Sequence, residues 1–300
     1  MKILVLGSQG QLGRCLQDQL SATDHDVTYH GRADTDITNF SETSTRLFEL
    51  QPDVVINASA YTAVDTAETE QSLADQVNHL AVGNLAKSCE ISGSFLIHVS
   101  TDYVFDGNAA EPYTEDDQTN PQTVYGASKL AGEIALQRSG GRFVIIRTAW
   151  VFSEYGKNFF KTMLRLGSER ESLSIVGDQI GCPTYAQDIG RLIVELLPKI
   201  EGHTIESGVY HYCGDTPCSW YQFAKEIFSQ AKQFGYPVPE KILSIATEDY
   251  PTPAKRPPYS VLNCTKILRC TNIGIPQLET AIKRSLQRIR AIQDDLKMSD

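Results

Sequence analysis

Through the first half of the chain, short apolar runs alternate with segments of helical periodicity. Lys2–Leu6, Asp26–Tyr29, Asp53–Asn57, Ser94–Ser100 and Arg142–Arg147 are rich in β-branched and aliphatic residues. Between them, Leu12–Leu20, Glu42–Leu50, Asp75–Ile91 and Tyr125–Gln137 repeat apolar residues at helical spacing. Near-continuous apolar strands need cover on both faces, and the intervening helices supply it. The pattern predicts an α/β fold, a doubly wound parallel sheet of Rossmann type.

After Trp150 the alternation breaks. Gly177–Thr184 reads as a turn, Tyr250–Tyr259 as a Pro-rich loop and Leu278–Ile292 as a terminal helix, while Gly208–Cys213 still has strand character. The expected organisation is a nucleotide-binding domain over residues 1–150 and a smaller substrate-binding lobe over 151–300. Segments near 178–190 and 208–230 are expected to return to the first domain. A chain of 300 residues is long enough for either one large α/β domain or two fused units.

Composition narrows the function classes. Hydrophobic residues at 41% and charged residues at 21% exclude a disordered or fibrous chain. A formal charge of -10 with no basic run disfavours nucleic acid and membrane surfaces as partners, since both are polyanions. A small phosphorylated ligand stays open, because helix N-termini and single cations capture phosphate locally. The seven cysteines are odd in number and form no C-x-x-C pair, which fits reduced thiols. Met1–Gly7 lacks a basic leader, and no run approaches the ~20 apolar residues of a membrane span, so a cytoplasmic location is expected.

The first chemistry lies at the start, where K-I-L-V-L-G-S-Q-G-Q-L-G-R runs from a strand through Gly7, Gly10 and Gly13 into a helix. Glycines there permit a left-handed turn, close backbone approach to a pyrophosphate and tight helix–strand packing. The strand-before, helix-after context is the one dinucleotide binding requires. At the end of the second strand stands His30-Gly31-Arg32, without the acid that accepts from a ribose 2′-hydroxyl. Arg32 either faces a 2′-phosphate or is a solvated loop residue. NADPH is the expected cofactor, with NADH tolerated.

Tyr125-Gly-Ala-Ser-Lys129 opens a helix and sets a phenol and an amine on one face, four residues apart. A nearby ammonium and an oxidised nicotinamide favour the phenolate, so the pair is expected to exchange a proton with a substrate oxygen near neutral pH. Ser100-Thr101 ends the fourth strand, where ligands of parallel sheets gather, and Thr101 is expected to donate to the carbonyl undergoing reduction. His98 and His211 lie in apolar runs and read as core residues, and no metal-ligand spacing is present.

With these residues in place, the chain resembles the dTDP-4-dehydrorhamnose reductases, a family of extended short-chain dehydrogenases, over nearly its whole length. The stretches that carry the likeness are N-A-S-A-Y-T-A-V-D-T-A-E (57–68), S-T-D-Y-V-F-D-G (100–107), V-Y-G-A-S-K-L-A-G-E (124–133), I-R-T-A-W-V-F (146–152), N-F-F-K-T-M-L (158–164), D-Q-I-G-C-P-T (178–184) and Y-P-T-P-A-K-R-P (250–257). The resemblance implies reduction of the C4 keto group of a dTDP-linked deoxysugar, the last step to dTDP-L-rhamnose. It implies Gly10, Gln11 and Leu12 at the pyrophosphate, and Arg32, Asp36 and Ile37 near the adenosine. Ala58, Ser59, Ala60, Tyr61 and Thr62 would run along the cofactor, and Thr101, Tyr125 and Lys129 would meet the reacting carbon. Asp102, Tyr103 and Trp150 would surround the sugar, Trp150 being alternatively a strand-end core residue. Lys255 and Arg256 either meet the diphosphate or are solvated.

Some family members hold Mg²⁺ and dimerise through acidic residues, one of them in the first helix. Here that stretch reads Arg14-Cys15-Leu16, so a monomer or weak, metal-free homodimer is expected. Two other readings stay open. One is a nucleotide-sugar epimerase or dehydratase, although dehydratases follow the Thr with Asp-Glu and this chain has Asp102-Tyr103. The other is a non-catalytic protein resembling the β subunit of methionine adenosyltransferase.

Overall fold

A computed structural model describes residues 1–298; the last two positions of the lobe expected over 151–300 lie outside the described residues. The chain opens β1 (Lys2–Leu6), α1 (Gln11–Leu20), β2 (Asp26–His30), α2 (Phe40–Leu50) and β3 (Val54–Asn57). Short helices α3 (Val64–Ala67) and α4 (Gln71–Asp75) lead through a π turn (Gln76–Leu80) into α5 (Ala81–Ser92), β4 (Phe95–Thr101), α6 (Val124–Gln137) and β5 (Phe143–Thr148). The remainder holds β6 (Val151–Phe152), α7 (Phe159–Glu169), β7 (Ser172–Val176), β8 (Ile180–Gly181), β9 (Thr184–Tyr185) and α8 (Ala186–Glu201). It ends with β10 (Gly208–His211), β11 (Cys218–Ser219), α9 (Trp220–Gln233), β12 (Lys241–Ile245), α10 (Thr265–Cys270) and α11 (Leu278–Met298).

Six strands pair in parallel in the order β10-β5-β4-β3-β1-β2. Their uninterrupted hydrophobicity has a direct cause: successive side chains feed two different cores. Ile3, Val5, Val54, Ile56 and Ile97 face Leu16 and Leu20 of α1 and Ile189, Leu192 and Leu196 of α8. Leu4, Leu6, Val55, Leu96 and Ile145 face Leu47 of α2 and Val82 and Leu85 of α5. The strand order reverses direction between β1 and β3, which opens a crevice at their carboxyl ends. Gly208–His211 joins this sheet beside β5, as its sequence suggested.

The helix expected over Asp75–Ile91 is interrupted. A π turn admits one extra residue per turn, and here it rotates Asn78 inward until it is 1% exposed. Asn78 accepts from the Tyr61 amide at 2.9 Å and donates to the Tyr61 carbonyl at 3.0 Å and to Ser128 Oγ at 3.0 Å. Gly132 makes room for it, since a Cβ there would lie 2.1 Å from the Asn78 carbonyl oxygen. Gly177–Thr184 is likewise more than a turn: β8 pairs with β11, and Thr184 opens β9 beside β6.

A third core, with Phe152, Phe160, Phe223, Ile227, Ile282 and Leu286, unites the later elements. The terminal helix is fastened to the first one by charge. Arg288 bonds both Asp18 of α1 and Glu154, while Gln187 and Tyr185 also bond Glu154, at 3.0 Å each. Glu154 is 4% exposed. Removing the guanidinium leaves a carboxylate buried without its cation, which typically costs about 3–5 kcal/mol. Arg288→Ala is therefore expected to lower the unfolding free energy by about 3 kcal/mol at pH 7. Urea denaturation is the measurement, and a loss under about 0.5 kcal/mol, the range of neutral surface changes, would refute the clasp.

Candidate active site

β1 ends at Leu6, and the chain turns through Gly7 at φ +76°. A Cβ on Gly7 would fall 2.7 Å from the Ser59 amide nitrogen, and one on Gly13 would fall 2.3 Å from the Gly7 carbonyl oxygen. Both approaches exclude any side chain. Gly10 caps α1 without a side-chain bond, so the first amides of the helix have no partner within it and suit an anion. Beside this turn a cleft encloses about 290 Å³.

Of the residues expected at the cofactor, Gly7, Gly10, Arg32, Asp36, Ile37, Ala58, Ser59, Ala60 and Tyr61 line that cleft. Gln9, Gly31, Thr35, Thr38, Leu73 and Val77 complete it. The rest of the turn does structural work. Gln11 donates to the Val151 carbonyl at 3.2 Å and accepts from Asn158 at 2.5 Å, Leu12 packs on the main core, and Gly13 underlies Gly7. Thr62 is exposed and outside the lining. Arg32 is 81% exposed, with Nε 3.1 Å from Asp36 Oδ2. The other Asp36 oxygen accepts from the Thr38 amide and hydroxyl at 3.0 and 2.7 Å.

Thr123 caps α6 by accepting from the Gly126 amide at 3.0 Å, which starts the helix one residue before Tyr125. Gly126 lets it press against the end of β4, since a Cβ there would meet the Tyr103 carbonyl oxygen at 2.2 Å. Tyr125 and Lys129 are thereby buried on one face, 9% and 1% exposed, and both engage β4. The Tyr103 ring meets the Tyr125 ring edge-on at 5.5 Å, and Thr101 is near enough to favour the Tyr125 phenolate. Lys129 Nζ donates to the Val99 carbonyl at 2.7 Å and lies 3.1 Å from His98 Nε2.

Burial governs the protonation of these groups. It pushes the Tyr125 phenol up to about 12, against the lowering effect of Thr101 and with a further rise from Asp102. It pulls the Lys129 amine down to about 8, while Glu133 opposes. Burial of the phenol thus outweighs the lowering effect of Thr101, so the side chain's own surroundings favour the neutral form. Asp102 is 2% exposed, accepts from the Thr101 hydroxyl at 3.0 Å and is pushed up to about 6 by burial, with Ser260 and Thr101 opposing.

Trp150 adopts a left-handed backbone at φ +47° and stacks on Trp220, centroids 3.4 Å apart and planes 3° apart. Gly181 accommodates it, since a Cβ there would lie 2.4 Å from the indole. Arg256 is engaged with Asp65 of α3 through two bonds of 3.0 and 2.6 Å, and Lys255 is exposed. Sequence reasoning missed Trp220, Asp65, Ser260, Asn57 and Asn78. Asn57 and Asp65 stand within the matched 57–68 stretch, but nothing in their spacing announces a partner 41 or 191 residues away.

The residues do not fit a bound Mg²⁺. Cys15 is fully buried, with a thiol pushed far above its ordinary range, and the nearby Asp18 and Glu154 already share Arg288. Among the described residues, no cluster of three His, Cys, Asp or Glu side chains is placed to hold a metal. No helix among them is long and apolar enough to cross a membrane. A nicotinamide dinucleotide does fit, because the turn is a cradle that side chains would fill.

A doubly wound sheet, a glycine turn at its switch point and a Thr/Tyr/Lys set at the end of β4 together define an extended short-chain dehydrogenase/reductase. The chain belongs to the family of the RmlD substrate binding domain, whose model matches residues 1–291. It is 42% identical to a dTDP-4-dehydrorhamnose reductase of Aggregatibacter actinomycetemcomitans, over 94% of this chain and 97% of that one. A crystal structure of a dTDP-4-dehydrorhamnose reductase from Clostridium acetobutylicum superposes with TM-score 0.89 at 39% identity, covering 97% of this chain and 100% of the other. Another, from Bacillus anthracis in complex with NADP, gives TM-score 0.89 at 36% identity, covering 96% and 99%.

Asp102 makes a stability prediction. A carboxyl raised in the fold, from 3.8 to about 6, stabilises fully below the unfolded value and loses that contribution as pH climbs through about 6. Its charge at pH 7.5 is therefore a burden on the order of 3 kcal/mol. Asp102→Asn is expected to raise the melting temperature at pH 7.5 and to lose the advantage by pH 4. Calorimetry at both values checks it, and an equal gain at pH 4 would contradict this origin.

Proposed function

We propose that this chain reduces the C4 keto group of dTDP-4-dehydro-L-rhamnose with NADPH, forming dTDP-L-rhamnose, with Tyr125 as proton donor and Thr101 and Lys129 completing the centre. The observation that carries the proposal is their convergence at the carboxyl end of β4, on the sheet whose neighbouring strand β3 leads into the cleft wall at Ala58 and Ser59. NADPH bound in the cleft supplies the hydride. The chain's own contribution is positioning and protons. Thr101, whose hydroxyl proton is given to Asp102 at rest, would turn it to the carbonyl oxygen as charge develops there. Tyr125, held as a phenol by burial at neutral pH, carries the proton that the nascent alkoxide takes. The Lys129 amine faces the cofactor ribose.

Gly7, Gly10 and the first amides of α1 cradle the pyrophosphate, and Arg32 meets the 2′-phosphate, which favours NADPH over NADH. Asp102, Tyr103 and Trp150, the last backed by Trp220, surround the sugar. Arg256 and Lys255 guard the diphosphate end. Residues 1–150 with α8 and β10 form the cofactor unit, and the other later elements form the substrate lobe. The chain is read as a cytoplasmic monomer or weak homodimer that needs no metal, consistent with the Arg288 clasp.

The test supplies dTDP-4-dehydro-L-rhamnose, generated in situ, with NADPH and follows loss of nicotinamide absorbance. Absence of turnover by the wild-type chain would overturn the substrate. Tyr125→Phe is expected to lower kcat by on the order of 10²–10³ while NADPH affinity stays within a few-fold, because one proton is lost and little binding surface. Arg32→Ser is expected to weaken NADPH about tenfold and leave NADH nearly unchanged, as fluorescence titration would show. Equal losses for both cofactors would remove Arg32 from the 2′-phosphate.

A further inference from the structure

The chain's two tryptophans lie face to face, and the short segment 178–181 touches both. Gly181 makes room for the Trp150 indole, and Gln179 Oε1 accepts from Trp220 Nε1 at 3.1 Å. Between them, Ile180 pairs with Ser219, the residue before Trp220. Its amide donates to the Pro258 carbonyl and its carbonyl accepts from the Ser260 amide, at 2.8 Å each, so the same segment also holds the Pro-rich loop. Gln179 is 5% exposed, and its amide therefore needs partners within the protein. Their polarity is forced. An indole N–H can only donate, which turns the Gln179 oxygen toward Trp220 and its NH₂ toward Thr247 Oγ1, 3.0 Å away. Thr247 then gives its own proton to Asp178, whose Oδ1 lies 2.6 Å from the hydroxyl. Asp178 also accepts from the Thr247 amide at 3.1 and 2.9 Å, and the Thr247 hydroxyl and amide hold its carboxyl below the usual carboxylate range.

We infer that Gln179 is a positioning residue for the sugar site: it fixes the Trp220 indole, and Trp220 in turn fixes how Trp150 meets the apolar side of the deoxysugar. This deepens the function proposed above and rests on it for the identity of the ligand. Stacking alone leaves a flat ring free to slide and turn in its own plane, because dispersion between parallel rings has little direction. A hydrogen bond from the edge of the ring is directional and removes that freedom. Phe159, inclined 50° to Trp220 with centroids 4.7 Å apart, packs against the same indole without supplying such a bond. Trp150 is the residue that needs a fixed partner, since its left-handed backbone persists only where the surroundings over-determine it. None of Asp178, Gln179, Trp220 and Thr247 lines the nucleotide cleft. The line therefore acts on sugar binding and leaves proton transfer and the cofactor alone.

A chain with two tryptophans gives two indole N–H resonances in a ¹⁵N-labelled sample, and Trp220→Phe assigns them. In the ligand-free wild type the Trp220 N–H is expected to be protected from solvent exchange. Gln179→Leu is expected to speed that exchange about tenfold or more and to shift the Trp150 resonance as the stack loosens. Calorimetric titration then compares dTDP-L-rhamnose with dTDP, which lacks the sugar. Gln179→Leu is expected to weaken dTDP-L-rhamnose about fivefold, the net worth of one hydrogen bond, and to leave dTDP and NADPH within about twofold. In turnover, KM for the keto sugar is expected to rise by the same factor with kcat nearly unchanged. Should Gln179→Leu fail to fold, Thr247→Val carries the same comparison with about a twofold loss for dTDP-L-rhamnose and none for dTDP. Unchanged dTDP-L-rhamnose affinity once the protection is gone would overturn the inference. So would equal losses for dTDP-L-rhamnose, dTDP and NADPH, the mark of a general structural defect. A wild type that binds dTDP-L-rhamnose no better than dTDP, with the indole pattern as expected, would sink the proposed substrate and leave the hold of Gln179 on Trp220 standing.

Discussion

Everything at this site depends on one buried lysine. A lysine with 1% exposure survives in a fold only where its nitrogen finds hydrogen-bonding partners. The seam between α6 and the end of β4 supplies them in a carbonyl and an imidazole, and the seam is as tight as it is because Gly126 and Gly132 let α6 approach Tyr103 and Asn78 to backbone contact. A side chain at Gly126 would push the helix off the segment that follows β4, and one at Gly132 would push it off the π turn. The phenol one turn earlier would lift with it. Local packing thus sets both the position and the proton inventory of the proposed centre.

Much of this was legible in the residues. The five apolar runs became strands within about one residue, because a parallel sheet covered on both sides demands uninterrupted hydrophobicity and leaves no other reading. The glycine turn and the Tyr125–Lys129 spacing could be placed because their chemistry is local, within a single turn of chain or helix. What stayed hidden is non-local. The π turn at Gln76–Leu80 answers to Asn78 reaching Tyr61 and Ser128, and no periodicity encodes that. His98 reads correctly as a buried core residue, but its value as a partner exists only once β3, β4 and α6 meet. The raised phenol of Tyr125 also escaped, since a motif shows a neighbouring amine and does not show how deeply both are buried.

The later half of the chain acts by closing over what the first half builds. The Pro-rich segment is tied across to α3 by the paired bonds of Arg256 to Asp65, so one wall of the proposed sugar site is held by residues almost two hundred positions apart. Trp150 accepts an unfavourable left-handed backbone, and its coplanar contact with Trp220 offers a reason, since large stacked rings bury more surface than that backbone typically costs. The aromatic platform is therefore a composite of a strand end and the first residue of α9.

The Arg288 clasp carries a consequence for how the molecule is made. Asp18 is synthesised 270 residues before its cation and Glu154 134 residues before it, so during synthesis both carboxylates precede the guanidinium that pairs them. Docking of α11 is in this sense the step that completes the charge balance on the first helix, and a nascent chain stalled before it would hold Asp18 and Glu154 without their shared cation.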